Sequence, residues 1–139
     1  MKQVKPPLAG FLTLLTLLSS ASLAQGRVDF GKQEFESSCA SCHGVSGKGD
    51  GALFPYLVKP PSDLTTLSRR NGGVFPSKRV WDTIDGTVAA EIGAHGTREM
   101  PIWGQVYQDR AQQTPYEPNW YAAHRMGSLI YYLARIQEP

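Results

Sequence analysis

Two cysteines separated by two residues, Cys39 and Cys42, are followed at once by His43. Each thiol of such a pair can add across one vinyl group of a porphyrin, and a histidine directly after the second cysteine is then carried to the iron. This spacing is the pattern of covalent haem attachment. We therefore expect Cys39 and Cys42 to bind haem c through thioether bonds, and His43 to be the proximal iron ligand.

Three other interpretations of the cysteines compete with haem attachment. A thioredoxin-like redox pair belongs to a strand-to-helix turn of a βαβ unit, but no β-rich run precedes Cys39 and His43 would be left unexplained. A zinc site needs about four ligands at paired spacing, whereas the chain has two cysteines and three histidines, the other two being His95 and His124. The third is a chance match, and the context along the rest of the chain argues against it.

The first residues have the composition of an export signal. Lys2 and Lys5 give a positive start, residues 8–18 are mostly apolar, and a small-residue cleavage site ends at Ala24. The apolar run is shorter than the ~20 residues that span a bilayer. We therefore expect a cleaved signal peptide over residues 1–24, one domain over residues 25–139, and no membrane span in the mature chain.

Removal of the signal peptide changes the charge balance. The full chain has 14 basic and 12 acidic residues, and the loss of Lys2 and Lys5 makes the two counts equal. A formally neutral domain, made acidic by haem propionates, argues against nucleic acid as a partner. Docking with another protein would then depend on local charge patches.

Helical patterns account for the regular structure, and no segment alternates as a strand does. The first helix has Asp29 as its predicted N-cap, with Gly31 and Phe35 four residues apart on one face. A glycine at that position suggests close backbone contact with another helix. The predicted helices cover residues 29–38, 62–71 and 77–86, with a last helix from Asn119 that carries an apolar stripe of Met126, Leu129, Ile130 and Leu133. The fold class is all-α, with three to five helices wrapped around one covalently bound haem.

The segments between these helices are rich in glycine and proline. In the segment after His43 we expect one proline carbonyl, that of Pro55, Pro60 or Pro61, to accept the Nδ1 hydrogen of the histidine, a bond that most metal-bound histidines make. Residues 107–118 are polar and contain two prolines. They are predicted to be a surface connection.

The sixth iron position has four candidate ligands. Met126 lies on the apolar stripe of the last helix, where methionine usually fills the core. His124 is on another face of that helix, where a histidine is usually solvated. His95 is in a loop and could coordinate. Met100 is preferred as the distal ligand, because a loop methionine braced by Pro101 can approach the iron without breaking a helix.

In order and spacing these elements resemble the class I c-type cytochromes, in particular the bacterial single-haem members. The resemblance rests on the glycine–phenylalanine face of the first helix, the cysteine–histidine attachment site, the Met100 loop and the closing helix. It implies that the first and last helices cross, with Gly31 and Phe35 packing on Tyr132 and Leu133. It also implies export to the bacterial periplasm, because haem is attached outside the cytoplasm.

The resemblance implies one-electron transfer, so the chain is expected to be an electron-transfer protein and not an enzyme. With His43 and Met100 as ligands, the iron is six-coordinate in both oxidation states and exchanges an electron with little rearrangement. The expected partners are redox proteins (a dehydrogenase, reductase or oxidase), with the chain as a soluble carrier or as a subunit of a respiratory enzyme. The alternatives are a ligand-binding or peroxidase-type haem protein with a labile sixth ligand, and a haem-free structural domain.

Overall fold

The computed structural model describes residues 27–87 and 100–139. In these residues the chain forms α-helices and short 3-10 turns, and no strand, which confirms the all-α prediction. The predicted signal peptide and His95 lie outside the described residues. The helices are α1 (Phe30–Ser38), α2 (Ala40–His43), α3 (Ser77–Asp85), α4 (Trp103–Ala111) and α5 (Pro118–Arg135), and the 3-10 turns are Phe54–Tyr56 and Arg69–Asn71.

Helix α1 begins and packs as the sequence predicts. The Asp29 carboxylate accepts a hydrogen bond from the backbone N–H of Lys32 at 3.1 Å, so it is the N-cap. Gly31 is buried against α5, where an added Cβ would overlap the carbonyl oxygen of Ser128 and come within 2.8 Å of the Tyr132 Cβ. Phe35 is fully buried, with its ring centroid 5.3 Å from that of Tyr132. The predicted contact of the first and last helices is confirmed.

Helix α5 starts one residue earlier than predicted. The Glu117 carboxylate accepts hydrogen bonds from the backbone N–H groups of Asn119 (3.0 Å) and Trp120 (2.7 Å), and Pro118 occupies the first helical position. Proline suits that position because it has no N–H that would need a partner. Three residues of the predicted stripe, Met126, Leu129 and Leu133, are buried, whereas the fourth, Ile130, is half-buried. Ala122 and Tyr132, which were not part of that stripe, are also buried on this helix.

Helix α3 is confirmed, whereas the helix predicted over residues 62–71 is wrong. Gly86 ends α3 in the left-handed conformation, with φ of 98°. In residues 62–71, Asp63 Oδ1 accepts hydrogen bonds from both the backbone N–H (2.8 Å) and the hydroxyl (2.6 Å) of Thr65. Such a side-chain turn competes with helix formation, and the segment forms turns that end in the 3-10 turn Arg69–Asn71.

The prediction of a surface connection over residues 107–118 is wrong for its first part. Residues 107–111 belong to α4, and both Tyr107 (0% exposed) and Ala111 (1% exposed) are buried. Only residues 112–117 form an exposed or half-buried connection to α5. In the described part of the chain, no helix has the length and apolar character needed to cross a membrane.

Candidate haem site

A cavity of about 370 Å³ opens between α1, α3, α5 and the turns of residues 62–71. Cys39, His43 and Met100 all line it, so the structure brings three of the four predicted site residues together. Cys42 is half-buried on the same short helix as His43 and lies outside the cavity lining. The apolar lining consists of Phe35, Leu64, Leu67, Pro76, Val80, Ile84, Leu129 and Leu133.

The end of α1 and the single turn of α2 fix the cysteine–histidine motif. The backbone N–H of Cys39 donates to the Phe35 carbonyl at 2.9 Å, and that of His43 donates to the Cys39 carbonyl at 2.9 Å. Gly51 packs directly on the backbone of Ser41 and Cys42, where a Cβ would clash. The motif is therefore held by backbone contacts on both sides.

The His43 ring is oriented by a backbone carbonyl, but not by one of the predicted prolines. Its Nδ1–H donates to the carbonyl oxygen of Ser62 at 3.0 Å. The predicted role of Pro55, Pro60 or Pro61 is wrong: the acceptor is the residue that follows Pro61. Because this bond uses the Nδ1 hydrogen, Nε2 is the ring nitrogen that can bind a metal.

Two glycines with positive φ bring the segment that contains Ser62 next to the motif. Gly49 (φ 85°) approaches the Pro61 carbonyl so closely that a Cβ would overlap it. The carbonyl of Gly47 (φ 79°) accepts the backbone N–H of Leu64 at 2.7 Å. A larger residue at position 49 would push the segment that contains Ser62 away from His43, and one at position 47 would strain the left-handed backbone that accepts Leu64.

The C-terminal tail holds the same segment from its other side. The Gln137 amide donates to the carbonyls of Leu64 (2.8 Å) and Leu133 (2.7 Å), and its oxygen accepts the backbone N–H of Ser68 at 2.8 Å. The backbone N–H of Glu138 donates to the Thr65 carbonyl at 2.7 Å. The support of His43 therefore extends to the end of the chain.

Burial favours the neutral forms of both His43 and Cys39 at the cavity. It lowers the pKa of His43 against the opposing effect of the Ser62 hydrogen bond, which favours the neutral imidazole that binds metals. Burial, followed by the negative charge of Glu34, raises the pKa of the Cys39 thiol to about 12. In the haem-free polypeptide this cysteine is therefore a thiol at neutral pH.

Met100 is half-buried at the cavity, close to the start of α4. The end of α3 and the start of α4 are in tight contact next to it, since a Cβ on Gly86 would meet the Ile102 side chain and one on Gly104 would meet Asp85. These contacts bring the two ends of residues 87–100 close together. They also fix the position of the residues that directly follow Met100.

The other described candidates for the sixth ligand lie away from the cavity. Met126 is 3% exposed in the core, as predicted. His124 is exposed on α5 and stacks on Trp120, with centroids 5.2 Å apart and the two planes 4° from parallel. Neither residue lines the cavity.

The cavity lining suits a haem group. A porphyrin is a flat apolar ring with two carboxylates, and the cavity combines an apolar wall with two exposed arginines at its rim, Arg70 and Arg79. The Arg70 guanidinium is held by the carbonyls of Asp63 (2.5 Å) and Thr66 (3.4 Å). An imidazole and a thioether are a known pair of haem iron ligands, and the thiol at the same cavity could form the covalent bond to a vinyl group.

One buried charged residue close to the site was not predicted from the sequence. Glu34 is only 3% exposed and lies in α1, on the turn before Cys39. Acidic residues are rarely buried unless they are paired, and nothing in the pattern of α1 marks this one. Its aromatic partner Tyr107 had a signal, because Trp103, Tyr107 and Ala111 recur at spacings of four.

The helical fold and the cavity define a haem-binding domain, and the comparison with protein families agrees. The family model of cytochrome c matches residues 28–134. The chain therefore belongs to the cytochrome c family and is a class I c-type cytochrome, a family that binds haem c covalently and transfers electrons through its iron. No curated protein and no solved structure matches the chain significantly.

Proposed function

We propose that the chain is an exported single-haem cytochrome that transfers one electron at a time through an iron ligated by His43 and Met100. Cys39 and Cys42 attach the haem through thioethers, and Arg70 and Arg79 face its propionates. The domain corresponds to residues 25–139, after removal of a signal peptide over residues 1–24.

One observation carries this proposal: Cys39, His43 and Met100 line one apolar cavity. Bound there, the haem iron supplies one-electron chemistry at a potential that a thioether ligand raises. The chain does the rest. The Ser62 carbonyl orients the His43 ring, and the apolar lining excludes water, so that electron transfer needs little rearrangement.

The location and partners follow from the same chemistry. Haem attachment outside the cytoplasm and the predicted signal peptide favour the bacterial periplasm. The partners would be redox proteins such as a dehydrogenase, a reductase or an oxidase, with the chain acting as a free carrier or as the cytochrome subunit of a respiratory enzyme. A partner that survives purification would indicate the subunit.

The Met100→Ala variant tests the ligand assignment. In the oxidised holoprotein the substitution should abolish the near-infrared sulfur-to-iron band. It should also open the iron to carbon monoxide in the reduced state. The reduction potential should fall by on the order of 100 mV, within the ~0.8 V range that axial ligands set in haem proteins.

The matched control is Met126→Leu, a substitution of similar volume in the core, which should keep the band and lower the free energy of unfolding by less than about 1.5 kcal/mol. A band lost in Met126→Leu and kept in Met100→Ala would overturn the assignment. If both variants match the wild type and the wild type binds carbon monoxide, the protein is a ligand-binding haem protein instead.

A further inference from the structure

The buried carboxylate of Glu34 joins three helices. Its Oε1 accepts the hydroxyl of Tyr107 from α4 at 2.9 Å and that of Ser38 from its own helix at 2.8 Å. Its Oε2 lies 3.1 Å from the guanidinium of Arg125 on α5, and the Arg110 guanidinium on α4 lies 3.7 Å from Oε1. Both oxygens are therefore satisfied, as a buried carboxylate requires.

The two contacts from α4 fix the helix that follows Met100. Helix α4 begins at Trp103, three residues after Met100. Tyr107 lies one turn further, and Arg110 covers the rings of both aromatic residues, with its guanidinium carbon 5.6 Å and 5.7 Å from their centroids. Glu34 therefore ties the start of α4 to α1, the helix that leads into the first haem-attaching cysteine.

We propose that Glu34 is a positioning residue that, through Tyr107 and Arg110, holds α4 so that Met100 stays on the iron. This inference rests on the proposed ligation by Met100. It goes beyond that ligation, because it assigns control of the methionine–iron bond to residues that do not line the cavity.

The physical basis is a charge-assisted hydrogen bond in a buried place. Such bonds are about twice as strong as neutral ones, and losing one partner leaves a buried acceptor short of a donor. Burial, with the nearby charge of Glu34, raises the pKa of Tyr107, so the phenol remains protonated and a hydrogen-bond donor at neutral pH.

Release of α4 would be measured as easier displacement of Met100. An external ligand such as imidazole binds the ferric iron only when the methionine is off, so its apparent affinity rises in proportion to the open fraction. A tenfold change in that affinity corresponds to ~1.4 kcal/mol, which is close to the lower end of the ~1.5–3 kcal/mol that a hydrogen bond to a charged group contributes.

The test is an imidazole titration of oxidised holoprotein, followed by loss of the sulfur-to-iron band. Tyr107→Phe, which removes one hydroxyl and keeps the ring, should bind imidazole about tenfold more tightly than the wild type. Arg110→Gln, a change at a half-exposed side chain that should leave folding intact, should also bind it more tightly.

The matched control is Tyr121→Phe. It makes the same chemical change in the same cluster, because the Tyr121 hydroxyl accepts a hydrogen bond from Arg125 at 3.2 Å, but it lies on α5. Its imidazole affinity should stay within twofold of the wild type, because the substitution leaves both contacts between Glu34 and α4 in place. Equal affinities in the wild type, Tyr107→Phe and Arg110→Gln, with the band present in all three, overturn the positioning role alone. A wild-type protein without the band overturns the ligation by Met100 and this inference with it.

Discussion

Asp29 makes two contacts at the start of α1. Its carboxylate caps the helix at the backbone N–H of Lys32 and pairs with the guanidinium of Arg135 near the end of α5. The bond to Arg135, followed by the helix cap, holds the pKa of Asp29 below its ordinary value of 3.8. Because the folded protein favours the charged form, this contribution to stability is fully present above pH 3.8. It is lost as the pH falls through the lowered pKa.

Asp29→Asn should therefore make the free energy of unfolding fall less steeply as the pH is lowered below about 4. Asparagine still caps a helix, so the variant removes the charge and keeps the cap. Denaturant titrations of the holoprotein at steps from neutral pH to about pH 3 should show a smaller loss of unfolding free energy below pH ~4 in the variant than in the wild type. Arg135→Gln removes the other partner and should behave in the same way. Identical pH slopes in all three proteins would contradict the ion pair.

At the scale of single residues, the sequence predicts the side chains that would bind haem better than the groups that hold those side chains in place. Cys39, His43 and Met100 are predicted from residue type and spacing, because few side chains can bind haem iron or add to a haem vinyl group, and all three line the cavity. The sequence predicts that a proline carbonyl accepts the His43 hydrogen bond, but every residue has a carbonyl that could do so. The observed acceptor is Ser62, because the path of the chain around Gly47 and Gly49 brings its carbonyl to the ring. Glu34 was missed because burial of a carboxylate depends on partners from distant helices.

At the scale of elements, local signals explain which helices were predicted. Helices α1 and α3 have a capping aspartate or a closing glycine, and α5 has a long apolar stripe. Helix α4 has a polar composition and leads into a proline-containing segment. For this reason the sequence predicted a surface connection there and not a helix with a buried face. The spacing of Trp103, Tyr107 and Ala111 was the available signal. The position of Gly31 on the same face as Phe35 predicted close contact with another helix, and the resemblance to class I c-type cytochromes implied that this helix is α5.

Two glycines in helices should respond in opposite ways to alanine. Gly31→Ala places a methyl group against the Ser128 carbonyl, and overpacking of this kind lowers the unfolding free energy by about 1–3 kcal/mol. Gly127 on α5 has open space at the position of its missing Cβ, so Gly127→Ala should raise it by about 0.5–1 kcal/mol through helix propensity. Denaturant unfolding of the two holoproteins measures both. A Gly31→Ala variant as stable as the wild type would show that α1 and α5 can move apart without lowering the free energy of unfolding.

At the scale of the whole molecule, the core and the cavity are parts of one structure. Among the described residues, five of the nine that form the buried core cluster also line the cavity: Phe35, Val80, Ile84, Leu129 and Leu133. The turns that orient His43 are tied to the C-terminal tail, and the helix after Met100 is tied to α1. A haem bound in this cavity would therefore be part of the packing, and the residues proposed to bind it are fixed from both ends of the domain.

The folded state should consequently depend on the cofactor. At about 24 cal/mol per Å³ of unfilled volume, a cavity of about 370 Å³ in the haem-free protein costs on the order of 5–10 kcal/mol. This is comparable with the whole stability of a small domain.

The Cys39→Ala/Cys42→Ala double variant, purified and stripped of haem by acid acetone, should keep part of its far-ultraviolet circular dichroism. It should lose the near-ultraviolet signal and any cooperative thermal transition. The wild-type holoprotein is the control, because a ligand that binds only the folded state adds directly to its stability. A haem-free variant that melts cooperatively within a few degrees of the holoprotein would mean that the helices pack without the porphyrin.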